Sequence, residues 1–159
     1  MKNILILLSF VLSGTVSFSQ SVKKINMKEL LHLIDTSNAP LVVNFWASWC
    51  GPCVREIPWF EKNVNSLPGK PVRLILVSLD FPGEYPAGVT DFAKKNGYTS
   101  PIYWLSEQDT EVYTKQVDKS WDGSIPVTWM INNKKKYRKF YRQQLPEARL
   151  QLELQQLTN

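Results

Sequence analysis

The pattern of apolar and polar residues predicts a chain in which short strands alternate with helices. Val72 to Leu79 is mostly apolar and hardly alternates, which is typical of a central strand buried on both faces. Leu150, Leu154 and Leu157 recur at helical spacing, so the end of the chain should form a helix that packs along one side. The predicted strands cover residues 41–46, 72–79, 102–105, 127–132 and 136–142, and the predicted helices cover residues 26–36, 50–66, 91–96, 110–117 and the segment that Pro146 opens.

Local signals at the ends of these elements support their order. Asn26 is a typical helix N-cap, and Glu29 follows three residues later, as in a capping box. Gly97 ends the third helix, and a turn at residues 132–134 joins the last two strands. After the first helix the order is β-α-β-α-β-α-β-β-α. This order predicts an α/β fold with a parallel core and an antiparallel hairpin at one edge.

The N-terminal segment changes how the rest is interpreted, because it has the layout of a secretory signal peptide. Lys2 precedes an uncharged, apolar stretch, and Ser17-Phe18-Ser19 places small residues at the first and third positions of a cleavage site. We expect residues 1–19 to be a signal peptide cleaved after Ser19, and residues 20–159 to form one domain in the periplasm or otherwise outside the cytosol. A buried helix of the fold and a retained membrane anchor are the alternatives.

Composition and charge narrow the function classes. The 159 residues are 43% hydrophobic and 21% charged, which excludes a disordered tail, a collagen-like repeat and a coiled coil. Removing residues 1–19 would take away one lysine and no acid, so the formal charge would fall from +5 to +4. An exported basic protein is not expected to meet nucleic acid. Two cysteines and one histidine, His32, do not suggest a metal site.

Both cysteines lie in one motif, Trp49-Cys50-Gly51-Pro52-Cys53, between a predicted strand and a predicted helix. A C-x-x-C at such a junction is a strong redox signal, because the two thiols can form a disulfide across the first helical turn. The first thiol then lies at a helix N-terminus, where free N–H groups favour the reactive thiolate. A purely structural disulfide and one half of a zinc site are the competing interpretations.

The segment from Phe45 to Cys53 resembles the active-site signature of thioredoxin-like proteins. Pro58 matches the proline that kinks the family's active-site helix, and Ile125-Pro126 matches the family's cis-proline site. The resemblance covers about residues 24–159. It implies a thioredoxin fold, with a central mixed sheet flanked by helices and an insertion in the middle of the chain, within residues 81–124.

Within that family, the run from Asn44 to Glu56 resembles the TlpA/ResA-like reductases. Asn44 replaces the buried aspartate of cytosolic thioredoxin, and Glu56 stands where these proteins often carry a functional glutamate. The resemblance implies a cofactor-free, monomeric thiol–disulfide oxidoreductase that reduces disulfides in other exported proteins. Apocytochrome c would be one substrate, in cytochrome c maturation, and a membrane protein would be the electron donor.

The resemblance also implies a role for each site residue. Cys50 would be the nucleophile, Cys53 the resolving thiol and Glu56 the base that deprotonates Cys53, unless Glu56 is an exposed helix residue. The predicted substrate-binding residues are Trp49, Ile125 and Pro126, with Trp121 either a second wall of the groove or a packed core residue. Reduction is preferred because of the Gly-Pro dipeptide. A disulfide oxidase or isomerase and a non-catalytic binding module with a structural disulfide remain open.

Overall fold

The computed structural model describes residues 21–67, 69 and 72–159, so the predicted signal peptide lies outside the described residues. The strands are β1 (Val22–Ile25), β2 (Leu41–Trp46), β3 (Arg73–Ser78), β4 (Ile102–Leu105), β5 (Val127–Asn132) and β6 (Tyr137–Tyr141). The helices are α1 (Met27–Asp35), α2 (Gly51–Asn65), α3 (Ala87–Lys95), α4 (Thr110–Val117) and α5 (Glu147–Thr158). Among the described residues, no helix has the length and apolar character needed to cross a membrane.

All six strands form one mixed sheet in the order β1-β4-β3-β2-β5-β6. The pairs β1–β4, β4–β3 and β3–β2 are parallel, whereas β2–β5 and β5–β6 are antiparallel. The predicted parallel core with an antiparallel hairpin at its edge is therefore confirmed. Parallel neighbours bring the carboxyl ends of β2 and β3 to one edge of the sheet, and the cysteine motif follows β2 at that edge.

Helices cover both faces of the sheet and enclose two apolar cores. In β3, Leu74 and Leu76 belong to one core and Ile75 and Val77 to the other, because successive strand residues point to opposite faces. The first core takes its helical residues from α2, α3 and α5, and the second takes them from α1 and α4. This double burial explains why the β3 sequence is nearly continuous in apolar residues.

The ends of the helices show which local sequence signals were sufficient to predict a helix boundary. The capping box at the start of α1 is present, with both reciprocal hydrogen bonds between Asn26 and Glu29 at 2.9 Å. Helix α3 begins at Ala87, four residues before the expected start at residue 91. Its N-cap, Pro86, makes no side-chain hydrogen bond, so no capping residue marked this start in the sequence. Gly97 ends this helix as expected, with a φ of +68° that suits glycine.

Strand β1 was not predicted. Its residues Val22-Lys23-Lys24-Ile25 place two lysines between two apolar positions, which is not the alternation of a half-buried strand. It forms because its backbone pairs with β4 in parallel register, Val22 opposite Ile102 and Ile25 opposite Leu105. That pairing covers the edge of β4.

Candidate active site

The cysteine pair lies at the start of α2, where the sequence placed it. Cys50 is the N-cap of the helix, and its Sγ accepts a hydrogen bond from the Cys53 N–H at 3.3 Å. The two cysteines form a disulfide, with their Cα atoms 5.3 Å apart. Pro52 occupies the first turn, where a missing N–H costs no helical hydrogen bond. Cys50 is 5% exposed and Cys53 is fully buried, so Cys50 is the more accessible of the two sulfurs.

The Ile125–Pro126 peptide bond is cis, as the resemblance implied. The Ile125 carbonyl oxygen lies 3.8 Å from Cys50 Sγ, although the two residues are 75 positions apart in the chain. Pro126 directly precedes β5, which is the antiparallel neighbour of β2. Strand pairing therefore brings Cys50, which follows β2, and Pro126, which precedes β5, to the same edge of the sheet.

A hydrogen-bonded loop supports that peptide. Asp118 accepts hydrogen bonds from the N–H and hydroxyl of Ser120, and Asp122 does the same for Ser124. These bonds hold the pKa of each carboxyl below its usual value. The structure therefore presents Ile125 from two successive Asx turns rather than from a loose loop.

Of the two alternatives for Trp121, the packed core residue is correct and the second wall of the substrate groove is not. The side chain is only 2% exposed, and its ring packs against Phe45 with centroids 4.8 Å apart. Its Nε1 donates to the Ser124 carbonyl at 2.8 Å. Trp121 thus holds the loop that contains Ser124 against the core.

Glu56 lies in α2, three residues after Cys53, and it is buried rather than an exposed helix residue. Its Oε1 accepts from Asn44 Nδ2 at 2.7 Å, and its Oε2 accepts from the Leu145 N–H at 2.9 Å. Burial raises the pKa of Glu56 from 4.5 to about 7, and the hydrogen bonds from Asn44 and Leu145 oppose that shift. A carboxyl with this pKa can exchange a proton near neutral pH.

Two members of the hydrogen-bond network around Glu56 were not found from the sequence: Leu145, which bonds to Glu56, and Thr128, which bonds to Asn44. Leu145 contributes only a backbone N–H and lies 89 residues further along the chain, so no residue type could have signalled it. Thr128 Oγ1 accepts from the same Asn44 amide at 3.1 Å, because Asn44 and Thr128 are opposite each other in β2 and β5. Strand pairing would have been the only available clue.

Trp49, which directly precedes Cys50, is an exposed aromatic residue. It is 57% exposed and stacks on Phe81, which is 64% exposed, with ring centroids 6.0 Å apart. No role for Phe81 was predicted from the sequence. With Leu79 and Ile125, the aromatic pair lines a cavity of about 230 Å³. The cavity lies near Cys50, because Trp49 directly precedes Cys50 and the Ile125 carbonyl oxygen lies 3.8 Å from Cys50 Sγ.

A buried carboxylate, Asp80, holds the turn that precedes Cys50. Its Oδ1 accepts from the Ser48 N–H at 3.0 Å and from the Ser48 hydroxyl at 2.6 Å, and its Oδ2 accepts from the Ser78 hydroxyl at 2.7 Å. Sequence reasoning missed this residue, since one aspartate after a strand has no distinctive spacing. Among the described residues, no group of three or more histidine, cysteine, aspartate or glutamate side chains could hold a metal ion.

Comparison with known proteins gives concordant matches. The AhpC/TSA family matches residues 16–140. Sporulation thiol-disulfide oxidoreductase A of Bacillus subtilis is 30% identical over 93 residues, which is 58% of this chain and 53% of that protein. Thiol-disulfide oxidoreductase ResA of Geobacillus thermodenitrificans is 30% identical over 107 residues, 67% of this chain and 56% of that protein. The chain thus spans about half the length of these relatives.

Shorter relatives and solved structures agree with this assignment. Thioredoxin of Haemophilus influenzae is 32% identical over 114 residues, 67% of this chain and 94% of that protein. The crystal structure of StoA from Bacillus subtilis superposes with a TM-score of 0.58 and 25% identity, covering 78% of this chain and 85% of that chain. A thioredoxin-related protein from Neisseria meningitidis has a TM-score of 0.65 at 23% identity, over 78% and 89% of the two chains, and supports the fold alone. The chain belongs to the AhpC/TSA family and has a thioredoxin-like fold.

Proposed function

We propose that this protein is an exported thiol–disulfide oxidoreductase that reduces disulfides in other exported proteins. One arrangement carries the proposal: a Cys50–Cys53 disulfide at a helix N-terminus, above the buried Glu56 and 3.8 Å from the Ile125 carbonyl oxygen. A purely structural disulfide would not need a buried acid with a pKa of about 7 one helical turn away. The relatives named thiol-disulfide oxidoreductases support the same activity.

The first step uses the reduced protein. The Cys50 thiolate, stabilised by the N-terminus of α2, attacks one sulfur of a substrate disulfide. The substrate S–S bond breaks, a new S–S bond joins Cys50 to the substrate, and the other substrate sulfur leaves as a thiolate that takes a proton from water. An extended substrate segment would be held by the backbone of Ile125 beside Pro126, with Trp49 alongside.

The second step releases the substrate. Glu56, as carboxylate, accepts the proton of the Cys53 thiol, directly or through water, and the Cys53 thiolate attacks Cys50 Sγ. The mixed disulfide breaks, the Cys50–Cys53 bond forms, and the second substrate sulfur leaves as a thiolate. The substrate gains two electrons, and the protein loses two. A donor must return those electrons, and we propose a membrane protein for this role.

The setting follows from the N-terminal segment and the family branch. We propose that residues 1–19 direct export, that residues 20–159 act as a monomeric domain in the periplasm, and that no cofactor is needed. The run from Asn44 to Glu56 supports disulfide-containing exported proteins as substrates, with apocytochrome c and cytochrome c maturation as the first candidate to test.

Reduction of insulin by dithiothreitol tests the activity. The protein should accelerate insulin precipitation, and Cys50→Ser should abolish the acceleration. A rate equal to that of dithiothreitol alone would overturn the proposal in favour of a binding module with a static disulfide. The reduction potential, measured against glutathione, then gives the direction: a potential near that of thioredoxin, about −270 mV, supports a reductase, and one near −120 mV would identify an oxidase.

A further inference from the structure

We infer that the cavity beside Cys50 selects substrates with an arginine or lysine side chain one or two residues from their reactive cysteine. This inference rests on the proposed function and adds a substrate class to it. The cavity volume, about 230 Å³, is below the range of roughly 300–1,000 Å³ typical of small-molecule sites, so it suits one side chain.

The position of the cavity ties it to the reacting sulfur. Ile125 lines the cavity, and its carbonyl oxygen lies 3.8 Å from Cys50 Sγ. Trp49, on the same cavity wall, directly precedes Cys50 in the chain. A substrate strand held by the Ile125 backbone would point alternate side chains to opposite sides, so a side chain close to the substrate cysteine can enter the cavity.

The wall of the cavity favours a long aliphatic stem. Leu79, Ile125 and the stacked rings of Trp49 and Phe81 supply the apolar surface. Both rings are more than half exposed, so a partner would remove apolar area from water. Arginine and lysine bury such stems while keeping the charged end polar, and aromatic faces attract cations.

The polar part of the cavity lining favours a positive charge. Glu107 and Gln108 belong to that lining, and of the described residues that line the cavity, Glu107 alone is charged. Glu107 is fixed in place, because its Oε1 accepts from the Met27 N–H at 3.0 Å at the start of α1. A carboxylate has about four acceptor sites, so its hydrogen bonds to Met27 and Ser106 leave room for a cation.

This local charge is opposite in sign to that of the whole chain, which carries a formal charge of +5. The net positive charge would repel a cationic substrate at long range, so the expected attraction is local to Glu107. The preference should therefore depend on Glu107 specifically.

Competition for Cys50 tests the inference. In a Cys53→Ser variant, mixed disulfides with peptides should accumulate at Cys50. Two peptides of one sequence have arginine or glutamate two residues from their cysteine, and that cysteine is supplied in disulfide linkage to thionitrobenzoate. The Cys50 thiolate attacks the peptide sulfur, the Cys50–peptide disulfide forms, and thionitrobenzoate leaves as a thiolate. The two peptides compete at equal concentration, and the trapped complexes are counted by mass spectrometry. We expect the arginine peptide to be enriched about ten-fold in the trapped complex. This ratio combines a modest attraction of arginine to Glu107 with a modest repulsion of glutamate by Glu107.

A second substitution isolates the cavity, because a neighbouring charge also changes the reactivity of the peptide thiol itself. Glu107→Gln in the same Cys53→Ser background should reduce the enrichment to about two-fold. Glu111→Gln, an exposed acid that does not line the cavity, makes the same change in net charge and should leave the enrichment intact. Adding 0.5 M salt should weaken the enrichment in the Cys53→Ser protein but not in the Cys53→Ser protein that also carries Glu107→Gln.

The possible failures are distinguishable. If neither peptide is trapped, Cys50 is not an exchanging thiol, and the proposed function fails together with the inference. If both peptides are trapped but the ratio is the same in the parent and in Glu107→Gln, the function survives and the cavity preference is rejected.

Discussion

At the residue scale, Glu56 links the chemistry of the site to its stability. It is fully buried, yet both carboxylate oxygens accept hydrogen bonds, from Asn44 and from the Leu145 N–H. Burial favours the neutral acid, whereas these donors favour the carboxylate, and the balance places the pKa near 7. The residue can therefore be present in both forms under neutral conditions, as a general base requires.

Glu56→Gln should slow disulfide exchange about 100-fold at pH 7.5, because the amide cannot accept the proton of Cys53. In the unmodified protein the rate of mixed-disulfide resolution should rise with pH through about 7, as Glu56 loses its proton. The variant should lack that rise. Stopped-flow measurement of resolution between pH 5 and 9 gives both curves.

Glu61→Gln is the matched control for this prediction. Glu61 is also a buried acid of α2, and it accepts from the N–H groups of Thr99 and Ser100, away from the cysteines. Its variant should keep the rise through pH 7. Equal slowing in both variants would show that the loss of any buried acid in α2 is sufficient, and Glu56 would have no special role.

The same pKa predicts how stability changes with pH. Between pH 4.5 and about 7 the folded protein holds the Glu56 proton more tightly than the unfolded chain does, so unfolding releases it. The free energy of unfolding should fall as pH rises through this window, by about 3 kcal/mol in all from this group. Urea unfolding of the oxidised protein at pH 4.5 and pH 8 should show this fall, and Glu56→Gln should remove that part of it.

Asp80 is the other buried acid at this edge, and it should matter for stability. Asp80→Ala leaves the Ser48 N–H, the Ser48 hydroxyl and the Ser78 hydroxyl without their acceptor, which should cost about 3 kcal/mol. Asp91→Ala, on the exposed surface of α3, should change stability by less than about 0.5 kcal/mol. Urea midpoints compare the two, and similar values would contradict the role of the Asp80 network.

At the element scale, helix starts explain the geometry of the site. Helix α2 begins with Cys50 as its N-cap, so its free N–H groups lie at the sulfur. Helix α1 begins with a capping box, and its first residue, Met27, donates its N–H to Glu107 at the cavity. Two helix N-termini therefore meet the same edge of the sheet, one at the disulfide and one at the cavity.

The capping box of α1 gives a prediction at this scale. Asn26→Ala removes the acceptor for the Glu29 N–H and should lower the free energy of unfolding by about 1 kcal/mol. Lys28→Ala, an exposed change in the same helix, should be within about 0.5 kcal/mol of the parent. Chemical denaturation measures both, and a neutral Asn26→Ala would mean that tertiary contacts alone hold the start of α1.

At the scale of the whole molecule, the sheet separates two cores that should respond independently to substitution. Ile34 is buried in the core under α1, and Ile57 is buried in the core under α2. The sheet lies between Ile34 and Ile57, and the two residues belong to separate clusters of buried side chains.

Ile34→Val and Ile57→Val should therefore act additively. Each should cost about 1 kcal/mol through a lost methylene, and the double variant should cost about 2 kcal/mol, agreeing with the sum within about 0.5 kcal/mol. Equilibrium unfolding of the two single variants and the double variant tests this. A coupling energy above about 1 kcal/mol would show that the sheet transmits packing changes between its faces.

Several features could be predicted from the sequence because their causes are local. The capping residues Asn26 and Glu29 are three positions apart, so their side chains alone define the start of α1. The spacing of Cys50 and Cys53 brings the two sulfurs across one helical turn wherever the helix begins. Mostly apolar runs predicted β2 and β3 as buried strands, because a strand that is covered on both faces carries apolar residues at nearly every position.

Only the tertiary structure decided the features that join distant parts of the chain. Leu145 reaches Glu56 through a backbone N–H, a group that every residue except proline carries, so sequence identity holds no trace of that contact. Strand β1 exists because β4 offers an unpaired edge, not because its own residues alternate. Trp121 is buried because three rings from other elements, Phe45, Tyr113 and Phe140, surround it. The sequence by itself therefore determined the cysteine pair and the helix that bears it, whereas packing and strand pairing decided the pKa of the neighbouring Glu56 and the shape of the surface beside the pair.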